Sequence, residues 1–198
     1  MGQTMRGRII VLPFVAAVCA VLCSCGSARH AAAGASLNPV FVTDRATFHL
    51  LPTAMREKNV DAVQHISAKF GSREFESDCL LIADGEQLSL TMLNELGTTV
   101  GELNYNNDLV VFNTALFPSA IKAEYIVADV QFCLYRADAL RAALEEIGLR
   151  FEVAAADGGE TRRIFDGEKE IIHIEKTAER IAYTNVLRGY GYVLQGAF

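Results

Sequence analysis

Apolar and polar residues alternate in short runs along most of the chain after residue 60. In the stretches 66–70 and 88–92 every second residue is apolar, and polar turn sequences at 84–85 and 106–108 separate such runs. A period of two residues indicates a strand with one buried face, and short polar connections indicate antiparallel neighbours. The first half of the domain is therefore predicted to be a meander of about five strands.

The pattern becomes helical after Pro118. Residues 119–134 carry two separate apolar stripes at helical spacing, whereas a surface helix shows one, so this helix is predicted to lie between two apolar surfaces. One surface is expected to be the sheet, and the other is either more protein or a ligand. Ser119 is the predicted N-cap, and a second helix is predicted from a cap at Asp138 to just before Gly148.

Strands resume after the second helix, with turn-like connections rich in Asp and Gly. They are predicted over 149–154, 161–165, 170–175, 180–186 and 190–197. About nine or ten strands therefore surround one helical insertion, which predicts a single, mainly β domain of the α+β class.

The N-terminal segment predicts where the protein resides. An apolar run of 14 residues, from 9 to 22, follows Arg6 and Arg8. A membrane span needs about 20 such residues, so the run is typical of a signal peptide. The sequence Leu22-Cys23-Ser24-Cys25 is similar to the bacterial lipobox, in which a small residue precedes a cysteine that is lipidated and becomes the mature N-terminus. The alternative is an ordinary secretory signal with incidental cysteines.

These features divide the chain into three parts. Residues 1–24 are the predicted signal peptide, 25–42 the lipidated N-terminus with a flexible tether of small residues, and 43–198 the folded domain. Cleavage would leave 24 acidic and 16 basic residues, a net charge of −8. Such a surface repels nucleic acid and anionic membranes, so acyl chains on Cys25 are expected to attach the protein to the bilayer.

Besides Cys25, the mature chain contains Cys79 and Cys133. An oxidising periplasm permits a disulfide between them, and two buried free thiols on a strand and a helix are the alternative. Because neither belongs to a C-x-x-C motif, no redox or zinc site is predicted.

Short motifs spread over roughly residues 45–198 carry a family resemblance. They are Leu50-Leu51-Pro52, 93–97, Leu103-Asn104-Tyr105, Ala128-Asp129-Val130-Gln131, Thr161-Arg162-Arg163 and Gly189-Tyr190. With the lipid-modified cysteine and the strand–helix–strand order, they make the chain similar to LolA/LolB-type lipoprotein carriers. More narrowly, the chain resembles the outer-membrane lipoproteins encoded in aryl-polyene pigment biosynthesis clusters. It departs from them after the Asp-x-Gln helix, where Leu134-Tyr135-Arg136 replaces their common Trp-Pro.

That resemblance implies a curved, half-open antiparallel barrel whose concave apolar face is covered by helices and binds a lipid or polyene. A hydrophobic chain in an aqueous compartment needs such an enclosure, because each buried CH₂ contributes about 0.8 kcal/mol. The expected cavity-lining residues are Phe75, Leu88, Leu90, Met92, Tyr125 and Phe132. The same apolar residues would suit a filled core equally well.

Four polar residues are candidates for the edge of this cavity. Asp129 and Gln131 interrupt an apolar helix, where they either form a polar handle or fix the helix through hydrogen bonds. Arg162 and Arg163 either pair with an anionic lipid headgroup or form a solvated strand face.

The resemblance also implies a location and partners. LolB-type receptors carry an exposed apolar loop that enters the membrane, and the candidate here is 113–118, with Leu116 and Phe117. A glycine follows Cys25 where an aspartate would signal inner-membrane retention, which favours the outer membrane. We expect a periplasm-facing monomer that binds a hydrophobic ligand and contacts a periplasmic carrier or biosynthetic protein.

Motifs for catalysis or cofactor binding were not found. The sequence has no G-x-S-x-G, H-E-x-x-H or phosphate-binding loop, so no enzyme activity, cofactor or metal is predicted. His173 and Glu175 share one side of a strand, which is typical of a surface contact. The alternative functions are a structural or assembly lipoprotein with a filled core that binds a protein partner, and a lipid or thioester hydrolase.

Overall fold

The computed structural model describes residues 37–114 and 122–198. The strands are β1 (Val40–Phe41), β2 (Thr47–Phe48), β3 (Val60–Phe70), β4 (Arg73–Ala83), β5 (Leu88–Leu93), β6 (Thr99–Tyr105), β7 (Val110–Thr114), β8 (Arg150–Ala156), β9 (Gly159–Asp166), β10 (Lys169–Thr177), β11 (Arg180–Asn185) and β12 (Tyr190–Gln195). The helices are α1 (Ala123–Leu134) and α2 (Ala137–Glu146), and a short 3-10 turn spans Thr53–Met55. The signal peptide, Cys25, Leu116 and Phe117 lie outside the described residues.

Ten of the strands form one curved, open antiparallel sheet in the order β7-β6-β5-β4-β3-β12-β11-β10-β9-β8. Two five-stranded meanders flank the helices in sequence, and the first strand of one pairs with the last strand of the other, with Phe70 opposite Tyr190. The predicted α+β half-barrel with a helical insertion is confirmed.

Alternating residues of every long strand point to the inner face, where the core lies. On β4, Cys79, Leu81 and Ala83 are buried while their neighbours on the outer face are more exposed. Helix α1 packs against this face, and β1 and β2 pack on its other side, where the ring centroids of Phe48 and Phe132 are 5.0 Å apart. The second apolar surface that the two stripes predict is therefore, in part, the segment that precedes the sheet.

The beginnings of both helices differ from the prediction. Lys122 has extended backbone angles (φ −85°, ψ 128°), so α1 begins at Ala123 and not at a Ser119 cap, and Ser119 itself lies outside the described residues. Helix α2 is preceded by Arg136, so Asp138 lies in its first turn, where a carboxylate interacts favourably with the helix dipole.

The end of α2 agrees with the prediction. Gly148 has φ +79°, and its N–H donates to the carbonyl of Glu145, while the N–H of Leu149 donates to the carbonyl of Leu144. These two bonds form a Schellman motif, which requires a residue that tolerates positive φ.

The predicted tether is too long at its C-terminal end. Val40 and Val42 are buried in the core, and the side-chain amide of Asn38 donates to Glu124 at 2.7 Å. These contacts make residues from 37 onward part of the folded unit, which corrects the boundary at 43. No described helix is long and apolar enough to cross a membrane.

Candidate functional site: a cavity under the first helix

A cavity of about 460 Å³ lies between α1 and the inner face of β3, β4, β5, β6, β7 and β12. Its volume falls within the range of about 300–1,000 Å³ that is typical of ligand pockets. Ala68 and Gly101 occupy inner-face positions along it and contribute little side-chain volume. The space that a filled core would occupy is therefore left open.

Four of the six residues predicted to line the cavity do line it, namely Phe75, Leu90, Met92 and Tyr125. Leu88 and Phe132 do not, so the prediction is wrong for both. Leu88 is fully buried opposite Tyr105 in the packed part of the core, and Phe132 contacts Phe48 on the other side of α1. Alternation indicates the face of a strand, but it does not indicate how far along that face a cavity extends.

Stacked aromatic rings form one wall. The ring of Phe70 stacks on Tyr190 with centroids 5.5 Å apart, and Tyr183 stacks on Tyr190 at 6.0 Å and on Tyr192 at 4.8 Å. Phe70, Tyr190 and Tyr192 face the cavity. The two tyrosines are not among the predicted lining residues, although their alternation with Gly189 and Gly191 in the sequence indicates that both lie on one strand face.

Asp129 connects α1 to this aromatic wall. The hydroxyl of Tyr183 donates to its Oδ1 at 2.5 Å, and that of Tyr190 donates to its Oδ2 at 2.6 Å. The side-chain amide of Asn185 donates to both tyrosine oxygens, at 3.4 and 3.3 Å. Burial raises the pKa of Asp129 to about 7, because the loss of hydration outweighs the opposing effect of the two tyrosine donors and of Arg188. Asp129 borders the cavity while fixing the helix.

The other three polar candidates do not line the cavity. Gln131 fixes the helix through hydrogen bonds and Arg163 lies on an outer strand face, as the alternatives for them predicted, whereas neither alternative predicted that Arg162 is buried. Gln131 is fully buried and forms two 2.9 Å hydrogen bonds with the backbone of Leu51. Arg163 lies on the outer face, where it pairs with Glu152 at 3.0 Å and stacks over Phe165.

Arg162 stabilises the C-terminal end of α1. It is only 1% exposed, and its Nη1 donates to the carbonyls of Phe132 (3.1 Å) and Tyr135 (2.7 Å). Its charge is balanced by the exposed Glu57 at 3.0 Å and the partly buried Glu160 at 2.6 Å, and the buried Lys176 pairs with both carboxylates. Burial alone would raise the pKa of Glu57, but hydrogen bonds and charges from Lys176 and Arg162 outweigh it and lower that pKa.

Two exposed cations at the cavity were also missed by sequence analysis. Lys122, just before α1, and Arg188, in the β11–β12 turn, both contribute to its lining. Arg188 donates from Nη2 to the carbonyl of Phe41 at 2.5 Å, and its guanidinium lies over the ring of Tyr125, 5.3 Å from the centroid. A lysine before a helix and an arginine in a turn carry no sequence signal that separates them from other surface cations.

Outside the cavity, the chemically reactive side chains of residues 37–114 and 122–198 form no second candidate site. Among the described residues, no group of three or more His, Cys, Asp or Glu side chains could hold a metal ion. His173 pairs with Glu170 at 2.7 Å beside an outer-face groove. Cys79 and Cys133 are buried free thiols, and burial raises the pKa of each to about 12. The disulfide alternative is therefore wrong.

This geometry defines the class of protein. It is a half-barrel whose covering helix encloses an apolar cavity large enough for a ligand. The sequence model of the family described as "Protein of unknown function (DUF3261)" matches residues 61–195, from β3 to β12. The match covers more than half of the chain, so this protein belongs to that family. No curated protein matches it.

Proposed function

We propose that this protein is a lipoprotein of the bacterial outer membrane, anchored through Cys25, that binds a hydrophobic lipid or polyene. It aids transfer or placement of that ligand in the membrane, without catalysing a reaction. The observation that carries the proposal is the cavity, whose walls are mainly apolar side chains of α1 and the sheet. A ligand that buries ten methylene groups there gains about 8 kcal/mol before the costs of ordering.

The surroundings of the cavity support exchange with a membrane. Phe41, Phe70, Val186 and Leu187 are each 38–50% exposed. They lie at one end of the domain, since Phe70 pairs with Tyr190 beside the β11–β12 turn and the carbonyl of Phe41 accepts from Arg188 in that turn. Grouped exposed apolar side chains are typical of surfaces that contact lipid or protein.

The chain length between the anchor and the domain is also suitable. Eleven residues lie between Cys25 and Leu37, the first described residue. Fully extended, they reach about 40 Å. A periplasm-facing monomer tethered in this way brings its cavity to the bilayer, and a periplasmic carrier or biosynthetic protein is the proposed partner.

Ligand uptake by the exported Cys25→Ala chain tests the proposal. We expect native mass spectrometry to detect a co-purifying lipid or pigment, and a fluorescent fatty acid to bind. Ala68→Leu adds volume to the inner face at the cavity and should weaken that binding at least about tenfold, while Ala182→Leu on the outer face serves as the matched control. Protein that is empty and takes up no fatty acid would contradict the proposal and favour an assembly role.

A further inference from the structure

Two positively charged side chains lie at the cavity, although its walls are otherwise mainly apolar. Lys122 and Arg188 both line it and are exposed, in a chain whose net charge is −6. Neither forms an ion pair with another residue of the described ranges, although six arginines elsewhere in those ranges do. The adjoining residues 115–121 contain no acidic side chain. The two cations are therefore available to a charged ligand.

The acidic residues nearest to these cations are occupied or directed elsewhere. Glu102 lies between the buried Gly101 and Leu103 on β6, so its carboxylate is on the outer face. Glu124 accepts hydrogen bonds from Asn38. Each oxygen of Asp129 accepts a tyrosine hydroxyl. Asp129 is close enough to Arg188 for their charges to interact, but none of the three acids forms an ion pair with Arg188 or Lys122.

Arg188 is already held in a fixed orientation. Its backbone N–H donates to Asn185 at 2.9 Å, its Nη2 donates to the carbonyl of Phe41, and its guanidinium lies over Tyr125. Its Nε and Nη1 have no partner within the described ranges. A guanidinium held in this way loses little entropy when its remaining N–H groups take a planar or tetrahedral oxyanion.

We infer that the cavity binds an amphiphile with an apolar chain and one anionic head, a carboxylate or a phosphate, and that Arg188 and Lys122 bind the head at the cavity opening. This inference rests on the proposed function and adds the polarity and orientation of the ligand. The chain lies under α1 against Leu90, Met92 and Val130, and the head remains at the solvent-exposed end.

Competition among ligands with the same chain tests the inference. The Cys25→Ala protein is loaded with an uncharged naphthylamine probe, and hexadecanoic acid, hexadecyl phosphate and hexadecanol are compared as competitors. We expect at least one anionic competitor to displace the probe at a concentration at least about tenfold below that of the alcohol. The stronger of the two anions identifies the head as a carboxylate or a phosphate.

Substitutions of the two cations test whether they cause the preference for an anionic competitor. Arg188→Gln should bring the anion-to-alcohol ratio close to one, and Lys122→Gln should reduce the ratio in part. Arg180→Gln, an exposed outer-face arginine paired with Glu175, should leave the ratio unchanged.

Equal displacement by anion and alcohol in the parent protein overturns the inference but leaves the proposed function standing, whereas absence of probe binding counts against the proposed function itself. A ratio that survives in the Arg188→Gln, Lys122→Gln double variant also overturns the inference.

Discussion

The hydroxyl of Tyr183 lies 2.5 Å from Oδ1 of Asp129, and this bond joins the covering helix to the sheet inside the apolar interior. Apolar packing alone does not specify one orientation of α1, and this bond adds to the hydrogen bonds that Arg162 makes at the C-terminal end of the helix. Because Tyr190 donates to the second oxygen, both sides of the carboxylate are satisfied. One buried acid and two strand tyrosines therefore contribute to the position of the helix, and with it to the shape of the cavity.

The buried acid should make stability depend on pH. The pKa of Asp129 is about 7 in the folded protein and 3.8 ordinarily. Between these two pH values the folded protein keeps Asp129 protonated, whereas the unfolded chain does not. Its contribution to the free energy of unfolding is greatest below about pH 4 and falls, by on the order of a few kcal/mol, as the pH rises through 7. Urea unfolding at pH 5 and pH 8 measures this fall, and Asp129→Asn should remove it. An identical pH slope in both proteins would contradict the prediction.

Tyr183→Phe should destabilise the protein by about 1–3 kcal/mol, because a buried carboxylate loses one of its donors. It should also raise the pKa of Asp129 further, since the tyrosine bond lowers that pKa. Tyr135→Phe is the matched control, because the hydroxyl of Tyr135 is buried near Gln131 and forms no hydrogen bond of good geometry within the described ranges. Urea unfolding compares the two. Equal losses of stability would mean that the bond to Asp129 contributes nothing specific.

Arg162 and Arg163 are adjacent in the sequence, and substituting each one tests which of them stabilises the fold. Arg162→Met leaves two carbonyls at the end of α1 without their buried donor, while Lys176 still pairs with Glu57 and Glu160, so the change should cost about 1–3 kcal/mol. Arg163→Met removes a partly exposed contact and should change the free energy of unfolding by less than about 1 kcal/mol. Thermal and urea unfolding measure both. If the two variants were equally stable, the assigned role of Arg162 in holding α1 would be wrong.

Local sequence patterns predicted the faces of the strands but not the contacts made across the fold. Alternation placed Phe75, Leu90 and Met92 on the inner face, because a strand turns successive side chains to opposite sides whatever its partners are. It could not show that Arg162, pointing to that same face, would meet the end of a helix 27 residues earlier in the chain. Such a contact depends on where the helix crosses the sheet, which is decided by packing among distant segments.

The extent of the cavity could not be predicted from the sequence, because it also depends on contacts between strands. Leu88 and Leu90 are chemically alike and share one strand face, yet one is fully buried in the core and the other lines the cavity. The difference comes from their neighbours, since Leu88 pairs with the large Tyr105, while the small Ala68 and Gly101 occupy the inner face at the cavity. Residue volumes across neighbouring strands are not visible in any single strand.

Gly191 should be essential to the aromatic wall because it lies between Tyr190 and Tyr192 and opposite Thr184 on β11. A Cβ at this position would approach the carbonyl oxygen of Tyr183 to 2.7 Å, so Gly191→Ala must push β11 and β12 apart and misalign the stacked rings. We expect weaker binding of the naphthylamine probe together with a loss of stability of about 1–3 kcal/mol.

Gly158→Ala is the control, because a Cβ there meets nothing within 4 Å and its φ of +73° costs only backbone strain, of about 1 kcal/mol. Loss of stability without loss of probe affinity in Gly191→Ala would show that ligand binding does not require the alignment of these rings.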